Sequence, residues 1–156
     1  MAVVGPVFLD TSVLLAGAID IGPASKAAQA VLDAVYDGRL PEPRTAWHCC
    51  LEFFAVATRL PEEYRLSPEQ AVQILSDLVF GRLRVDQLPA AASETFFCGA
   101  IEDRVAGGRI YDAHIATTAR LHGARVIVTD NRRHFTSLLT HGLRVLDSSQ
   151  LRAELA

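Results

Sequence analysis

The chain has 156 residues, of which 50% are hydrophobic, with 15 basic and 18 acidic side chains and a formal net charge of −3. This length predicts a single domain over residues 1–156. The apolar composition and the lack of a low-complexity stretch or fixed-period repeat argue against a disordered chain and against a solenoid. The slight negative charge also argues against a protein that is steered to nucleic acid by a broadly basic surface.

Short apolar runs alternate along the chain with segments of helical periodicity. In chain order the sequence predicts a strand at 7–9, helices at 13–19, 23–36, 47–60 and 67–80, a strand at 83–85, helices at 89–105 and 112–121, a strand at 125–129, a short helical stretch at 134–139, a strand at 143–146 and a helix at 148–155. Residues 41–43, which include two prolines, are interpreted as a connection. Strands separated by helices favour an α/β fold in which helices flank a central, mostly parallel sheet.

Cellular location is predicted from the termini, the apolar runs and the cysteines. No apolar run is long enough to span a membrane, and the N-terminus lacks a basic secretory signal, so we expect a cytoplasmic protein. The three cysteines, Cys49, Cys50 and Cys98, are a poor disulfide framework because their number is odd and two are adjacent. We expect them to be reduced core residues.

Four acidic residues occupy positions where carboxylates are unexpected. Asp10 and Asp130 follow predicted strands, Asp112 begins a predicted helix, and Glu52 lies inside an apolar helix. Ligands of parallel sheets bind beyond the carboxyl ends of the strands, which is where Asp10 and Asp130 are predicted to lie. Several carboxylates in one pocket are costly unless a divalent cation neutralises them. The pattern therefore predicts a magnesium site and phosphodiester cleavage.

Each of these acids also has a simpler interpretation. The three aspartates lie at or near helix starts, where a carboxylate caps free backbone N–H groups and complements the helix dipole. Glu52 sits in a helix that is apolar all round and is therefore expected to be buried. It would need a cation, an arginine partner or a raised pKa. Sequence spacing alone does not decide between these interpretations.

Four segments together resemble the PIN domain, and the likeness is strongest to VapC-type toxins of type II toxin–antitoxin systems. They are Phe8-Leu9-Asp10-Thr11-Ser12, the isolated Glu52, the 110–116 segment (IYDAHIA) and the 128–135 segment (VTDNRRHF). The resemblance extends over nearly the whole chain. It implies a PIN-like three-layer α/β/α fold and an endoribonuclease that depends on Mg²⁺, or on Mn²⁺. It also implies a homodimer and inhibition by a cognate VapB-like antitoxin.

The resemblance further implies which residues bind metal and take part in catalysis. Asp10, Glu52 and Asp112 match three of the acidic positions. The fourth position falls on Asp130 or on Asn131, and we favour Asp130 as the charge that reaches the metal, directly or through water. The mechanism is then metal-assisted hydrolysis in which Asp112 or Glu52 orients the attacking water. Residues that would support the ligands or water by hydrogen bonds are Thr11, Ser12, Thr129 and Asn131.

Several side chains near these positions are candidates for contact with RNA. Arg132 and Arg133 could bind phosphates near the cut, as could Arg109, although each is equally compatible with an ordinary surface position. Trp47 and Tyr111 could stack on a base, but an aromatic beside an apolar helix more often packs in the core. The histidines lack the paired spacing of a zinc site.

Two other functions fit parts of the pattern. A phosphatase or receiver domain also carries an aspartate after its first strand, but it needs a lysine late in the chain, and the one lysine is Lys26. A non-catalytic module could bind RNA or protein through the same fold. The helices at 23–36 and 67–80 carry apolar faces that either pack in the core or receive an antitoxin peptide. An antitoxin arginine entering the acidic pocket would compete with the metal for the carboxylates.

Overall fold

A computed structural model describes residues 2–156, without the side chain of Thr140; Met1, the first residue of the predicted domain, lies outside the described residues. Five parallel strands form one sheet in the order β3-β2-β1-β4-β5. The strands are β1 (Val7–Leu9), β2 (Pro43–Ala46), β3 (Arg84–Asp86), β4 (Val126–Val128) and β5 (Arg144–Leu146), and the α-helices are α1 (Thr11–Ala18), α2 (Ser25–Tyr36), α3 (Trp47–Ala57), α4 (Pro68–Ile74), α5 (Ser93–Glu102), α6 (Arg109–Leu121) and α7 (Ser148–Leu155). The predicted α/β fold with a parallel sheet is confirmed.

The central strand β1 and its neighbour β4 are apolar runs that are buried along their whole length. Strand β1 is Val-Phe-Leu and β4 is Val-Ile-Val, and all of these side chains are buried. This is the composition expected of parallel strands that are covered by helices on both faces. In the register of the sheet Leu9 pairs with Val128. The residues that follow these two strands, Asp10 and Thr129, therefore lie side by side.

Strand β2 was not predicted from the sequence, which indicates a connection at 41–43 and no strand between the helix at 23–36 and the helix that begins at Trp47. Residues Pro43–Ala46 form a strand between β1 and β3. Proline is tolerated at the first residue of a strand. Arg44 and Thr45 are polar but buried, because Arg44 binds Asp86 and Thr45 Oγ1 donates to the carbonyl oxygen of Leu9 at 2.8 Å. The segment lacks the apolar pattern of a buried strand because two of its buried residues are Arg and Thr. The partners that satisfy them are 42 and 36 residues away, so the local sequence does not reveal the strand.

The helices pack in two groups. Helices α1, α2, α3, α4 and α7 form contacts within one group, and α5 packs on α6 in the other. Because parallel crossovers are right-handed, the connections before and after β3 pass over opposite faces of the sheet, which gives the three-layer arrangement. None of the helices among the described residues is both long and apolar enough to cross a membrane.

Smaller differences from the sequence analysis concern ends of elements and one cysteine. The predicted helix at 67–80 continues beyond α4 as a π-helix, Leu75–Phe80. Helix α6 begins at Arg109, so Asp112 lies in its first turn and is not its cap. Cys49 and Cys50 are free and buried as expected, but Cys98 is exposed, so the prediction of a core position is wrong for that residue.

Candidate active site

The carboxyl edge of the sheet brings together most of the residues singled out from the sequence. Asp10 follows β1, Thr129 follows β4, and helices α1 and α3 begin directly after strands at this edge. Helix α3 carries Glu52 one turn beyond its start, and α6 carries Asp112 in its first turn. The edge therefore presents three carboxylates that come from separate segments of the chain.

Asp10 is buried, with 4% of its surface exposed, and is held by hydroxyl groups. Ser12 Oγ and Thr129 Oγ1 each donate to its Oδ2 atom at 2.8 Å. Burial raises the pKa of Asp10 by more than these hydrogen bonds lower it, and the charge of Glu52 raises it further. Among the described residues, no basic side chain forms a salt bridge with Asp10. The carboxylate is fixed in place without a positive partner.

Glu52 is bound by the hydroxyl of Thr11, whose Oγ1 donates to Oε2 at 2.7 Å. The expectation that helix α3 is buried all round is wrong, because Leu51 is 53% exposed and Glu52 is half-buried. The negative charge of Glu52 raises the pKa of both Asp10 and Asp112. Glu52 is therefore the carboxylate that couples the other two electrostatically.

Among the described residues, Asp112 is the one acid of the three that forms a salt bridge or close contact with a basic side chain. The Nδ1 atom of His134 lies 3.0 Å from its Oδ2 atom. Burial raises the pKa of Asp112, His134 lowers it, Glu52 raises it and Arg109 lowers it, and the net direction is upward. His134 was not among the candidate site residues, although it falls within the 128–135 segment that resembles the PIN domain. Its contact with Asp112 joins two different elements of the fold, so it could not be predicted from a local sequence pattern.

Asp130 is tied to the site by its backbone and to helix α7 by its side chain. Its N–H donates to Ser12 Oγ at 3.0 Å. Its carboxylate accepts hydrogen bonds from the N–H and the hydroxyl of Ser148, both at 3.1 Å. The neighbouring Asn131 donates its backbone N–H to Thr129 Oγ1 at 3.0 Å. In this arrangement the Asp130 carboxylate is engaged at the first residue of α7.

The donor set fits a hard divalent cation in its chemistry. All of the donors are oxygens, and carboxylate and hydroxyl oxygens are the ligands that Mg²⁺ and Mn²⁺ prefer. Glu52 repels Asp10 and Asp112, and a cation would relieve that repulsion. Within residues 2–156 as described, however, no three His, Cys, Asp or Glu side chains are arranged to hold an ion. An ion held by one or two of these carboxylates would complete its coordination with water and substrate phosphate, as Mg²⁺ usually does.

The three candidate arginines lie on the surface around this edge. Arg109 opens helix α6, and Arg133 lies in a single turn of 3-10 helix, Arg132–His134, that follows β4. Arg132 Nη1 lies 4.0 Å from Asp147 Oδ2 with half of its side chain exposed. All three side chains are exposed to solvent, as contact with a phosphate backbone requires.

Two aromatic side chains are placed differently from the core position that the sequence analysis favours. Trp47 is 43% exposed and Tyr111 is 56% exposed. The ring of Tyr111 stacks on His48 with centroids 5.2 Å apart, and His48 contacts His114 at 5.5 Å. His48 lies on α3 and His114 on α6, so their contact joins segments that are far apart in the sequence.

Comparison with known proteins identifies the family. The sequence profile of the PIN domain matches residues 6–133. The chain belongs to the PIN domain family. It is 29% identical over 132 residues to Ribonuclease VapC27 of Mycobacterium tuberculosis, covering 81% of this chain and 86% of that protein.

Solved structures share the fold of this PIN domain. VapC20 of Mycobacterium tuberculosis, described as a Sarcin-Ricin loop cleaving toxin, superposes with a TM-score of 0.59 at 17% identity, covering 78% of this chain and 86% of that one. VapBC-1 from nontypeable Haemophilus influenzae gives a TM-score of 0.61 at 18% identity, covering 93% and 99%. At these identities the similarity establishes the shared fold.

Proposed function

We propose that this PIN domain protein is a divalent-metal-dependent endoribonuclease, and that it is the toxin of a VapBC-like toxin–antitoxin pair. The observation that carries the proposal is Asp10, a buried carboxylate at a strand end that lies near the negative charge of Glu52. It accepts hydrogen bonds from the hydroxyls of Ser12 and Thr129 and from the backbone of Thr11, and among the described residues it forms no salt bridge. A carboxylate in that environment is poised to bind a cation. The similarity to a protein named Ribonuclease VapC27 supports RNA as the substrate.

The polar side chains of the edge would prepare the carboxylates for this reaction. Ser12 and Thr129 fix Asp10 before substrate arrives, and Thr11 holds Glu52 beside it. Such preorganisation lowers the cost of reaching the reactive geometry. Bound Mg²⁺ or Mn²⁺ would activate water and stabilise charge on the reacting phosphate. Asp112 or Glu52 would accept a hydrogen bond from the attacking water and orient it.

The remaining candidates would act around these three acids. Asp130 would reach the metal directly or through water once its carboxylate leaves Ser148, and Asn131 is the alternative fourth ligand. Arg109, Arg132 and Arg133 are exposed and would hold RNA phosphates.

The partners follow from the same proposal. The shared fold with a structure of VapBC-1 supports a VapB-like antitoxin as the partner. The homodimer and the inhibition by that antitoxin are what the resemblance to VapC-type toxins implies, and both are part of this proposal. An arginine of that antitoxin would neutralise Asp10 and Glu52 in place of the metal, because a guanidinium pairs well with carboxylates. If inhibition survived the loss of every arginine in the antitoxin's binding segment, that arrangement would be wrong.

The test is cleavage of total cellular RNA by purified protein in Mg²⁺, Mn²⁺ or EDTA. Asp10→Asn and Asp112→Asn are expected to lower the rate by at least about 100-fold, the scale of losing a group that stabilises the transition state. Asp37→Asn is the matched control, since Asp37 is exposed and lies in the connection that leads to the amino end of β2. Circular dichroism would verify that all variants fold.

Metal-dependent cuts that disappear in both site variants and persist in the control would support the nuclease. If wild type and site variants cut alike, the activity comes from a contaminant and the proposal fails. Binding of RNA without any cleavage would instead favour the non-catalytic module.

A further inference from the structure

Each of the three site acids has one carboxylate oxygen in contact with another side chain. Asp10 and Glu52 accept hydrogen bonds from hydroxyl groups through one oxygen each, Oδ2 and Oε2 respectively. The corresponding oxygen of Asp112, Oδ2, lies 3.0 Å from Nδ1 of His134. Two of the acids are therefore held by hydroxyls, and the third contacts a histidine that has no role in the proposed reaction.

The contact between His134 and Asp112 assigns the proton of the imidazole. The histidine is a hydrogen-bond partner of the acid. A carboxylate only accepts hydrogen bonds, and 3.0 Å is an ordinary distance between a nitrogen donor and an oxygen acceptor. Nδ1 therefore carries a proton in the neutral ring as well as in the charged ring. The contact engages Oδ2 and leaves Oδ1 of Asp112 for an ion or for water bound to it.

The backbone around His134 holds the imidazole in place. The residue ends the single turn Arg132–His134 and precedes Phe135, whose side chain is fully buried. The N–H of His134 donates to the carbonyl oxygen of Asn131 at 2.9 Å. Asn131 in turn donates its N–H to Thr129 Oγ1, the hydroxyl that also binds the first site acid. The histidine is thus connected to the same hydrogen bonds that fix the carboxylate after β1.

The pair lies at the rim of the site. The side chain of His134 is 37% exposed and that of Asp112 is 29% exposed. Partly exposed pairs contribute little to stability, so the fold does not depend on this one. The two residues before the histidine are the exposed arginines proposed to hold RNA phosphates. The contact is therefore placed where it serves the site more than the core.

We propose that His134 is a positioning residue of the ribonuclease, whose Nδ1–H fixes the Asp112 carboxylate so that Oδ1 is available to the metal or to the attacking water. Hydrogen-bond partners of metal ligands act in this way, and their loss commonly weakens metal binding or activity by about 10–100-fold. The inference rests on the proposed function and adds to it a residue that touches neither the metal nor the reacting phosphate.

Two amide variants distinguish the two nitrogens of the ring. The amide nitrogen of His134→Asn can take the place of Nδ1, whereas that of His134→Gln lies near the place of Nε2. His134→Leu removes both nitrogens. His141→Leu is the matched control, because His141 is an exposed histidine at the end of the next helical segment, Thr136–His141.

Metal binding can be measured without RNA, as the rise of Tm with Mg²⁺ concentration. His134→Leu and His134→Gln are expected to need at least about tenfold more Mg²⁺ for the half-maximal rise, and His134→Asn and the control to stay within about threefold of the wild type. The Tm in EDTA should change little in all four variants, because the contact is partly exposed. A large fall of Tm in EDTA for every His134 variant would assign the residue to folding and overturn the inference.

RNA cleavage gives a second readout. His134→Leu and His134→Gln should lower kcat at limiting Mg²⁺, and the rate should recover as Mg²⁺ is raised, whereas KM for RNA should stay nearly unchanged. A variant whose Tm in EDTA equals that of the wild type has no folding defect for Mg²⁺ to correct. Recovery of its rate would therefore report on the metal site.

The outcomes separate this inference from the proposed function. If His134→Gln matched the wild type and His134→Asn did not, Nε2 would be the important atom and the inference would be wrong. A wild-type Mg²⁺ response and rate in His134→Leu would also overturn it and would leave the nuclease unaffected. If the Mg²⁺ response fell as expected in a protein that cuts no RNA in any metal, the nuclease would fail and the positioning role at a metal site would be supported. No rise of Tm with Mg²⁺ or Mn²⁺ in the wild type would overturn the inference.

Discussion

Two buried aspartates at the same edge of the sheet differ in what neutralises them. Asp10 follows β1 and Asp86 ends β3, and each is 4% exposed. Asp86 accepts two hydrogen bonds from the guanidinium of Arg44, at 2.8 and 3.1 Å, and lies 3.6 Å from His122 Nδ1. Asp10 has hydroxyl partners and a raised pKa.

The comparison teaches that burial alone does not mark a functional carboxylate. The charge of Asp86 is already balanced by another residue of the chain, Arg44. The hydrogen bond between the two is the main reason that the pKa of Arg44 is raised. Asp10 is held in position but its charge is unbalanced, so it has capacity for a cation from outside the chain. A structural acid and a ligand-binding acid can therefore be told apart by their partners.

Removing the positive charge of Arg44 from its pair with Asp86 should have the largest effect on stability. Arg44→Met leaves Asp86 buried without its main partner, and we expect the free energy of unfolding to fall by about 3–5 kcal/mol. Urea denaturation at pH 7 would measure the loss. The double variant Arg44→Met/Asp86→Leu should recover most of it, because no buried charge remains. A loss below about 1 kcal/mol in the single variant would contradict the role of the pair.

Asp130 is a third acid at this edge of the sheet. Its carboxylate accepts hydrogen bonds from the backbone N–H and the hydroxyl of Ser148, the first residue of α7. Asp130→Ala removes two hydrogen bonds to Ser148, and we expect a cost of about 1–2 kcal/mol, the scale of a lost helix cap. For a domain of this size each kcal/mol lowers Tm by about 2–4 °C. Ser148→Ala should be non-additive with Asp130→Ala in a double-mutant cycle. Additive losses would show that the two side chains do not interact.

Neutralising the unbalanced acid should act in the opposite direction. Asp10→Asn is expected to raise the free energy of unfolding by about 1 kcal/mol at pH 7 in EDTA, because functional residues are commonly held at a cost in stability. Added Mg²⁺ should raise the Tm of the wild type and leave that of Asp10→Asn nearly unchanged. A lower Tm for the variant in EDTA would mean that the charge of Asp10 is already balanced.

The same variant gives a pH dependence of known sign. The pKa of Asp10 lies above its ordinary value of 3.8 in the folded chain, so its charge destabilises the fold at pH 7. As the pH falls, the folded state takes up the proton first, and the free energy of unfolding of the wild type rises until the unfolded chain is protonated too. The advantage of Asp10→Asn should thus be largest at pH 7 and shrink towards pH 4. Urea denaturation in EDTA at intermediate pH values would follow it, and a constant advantage would argue against the raised pKa.

The smallest effect is expected at the hydroxyl that holds Glu52. Thr11→Val keeps the shape of the side chain and removes the hydrogen bond to Oε2, and half-buried Glu52 can then turn to water. We expect a loss of about 0.5 kcal/mol, the lower end for one hydrogen bond. If the variant folds normally but Mg²⁺ raises its Tm less than that of the wild type, Thr11 contributes to the metal site. An unchanged response to Mg²⁺ would assign it to local packing.

Sequence patterns were sufficient where one segment carries its own signal. The runs that became β1, β4 and β5 and the helix Ser148–Leu155 show local apolar periodicity or a capping residue, and they formed within a residue or two of the predicted bounds. Asp10 could be located at a strand end for the same reason. The PIN family was also recognisable, because its motifs are short segments of contiguous residues.

Contacts between segments that are far apart in the chain could not be predicted from local sequence patterns. Strand β2 was missed because Arg44 is buried by a partner 42 residues away. The prediction that Trp47 and Tyr111 lie in the core failed because exposure depends on which helices meet. The contacts of Glu52 with Thr11, Asp112 with His134 and Asp130 with Ser148 likewise depend on the sheet order.

By itself, the sequence determined the α/β class, the central strands, the family and the acidic residues, because periodicity, strand ends and contiguous motifs are local properties of a chain. Only the tertiary structure decided which acids are balanced and which are not, and that His134 contacts Asp112. The physical reason is that the energy of a buried charge is set by neighbours that folding brings from other segments.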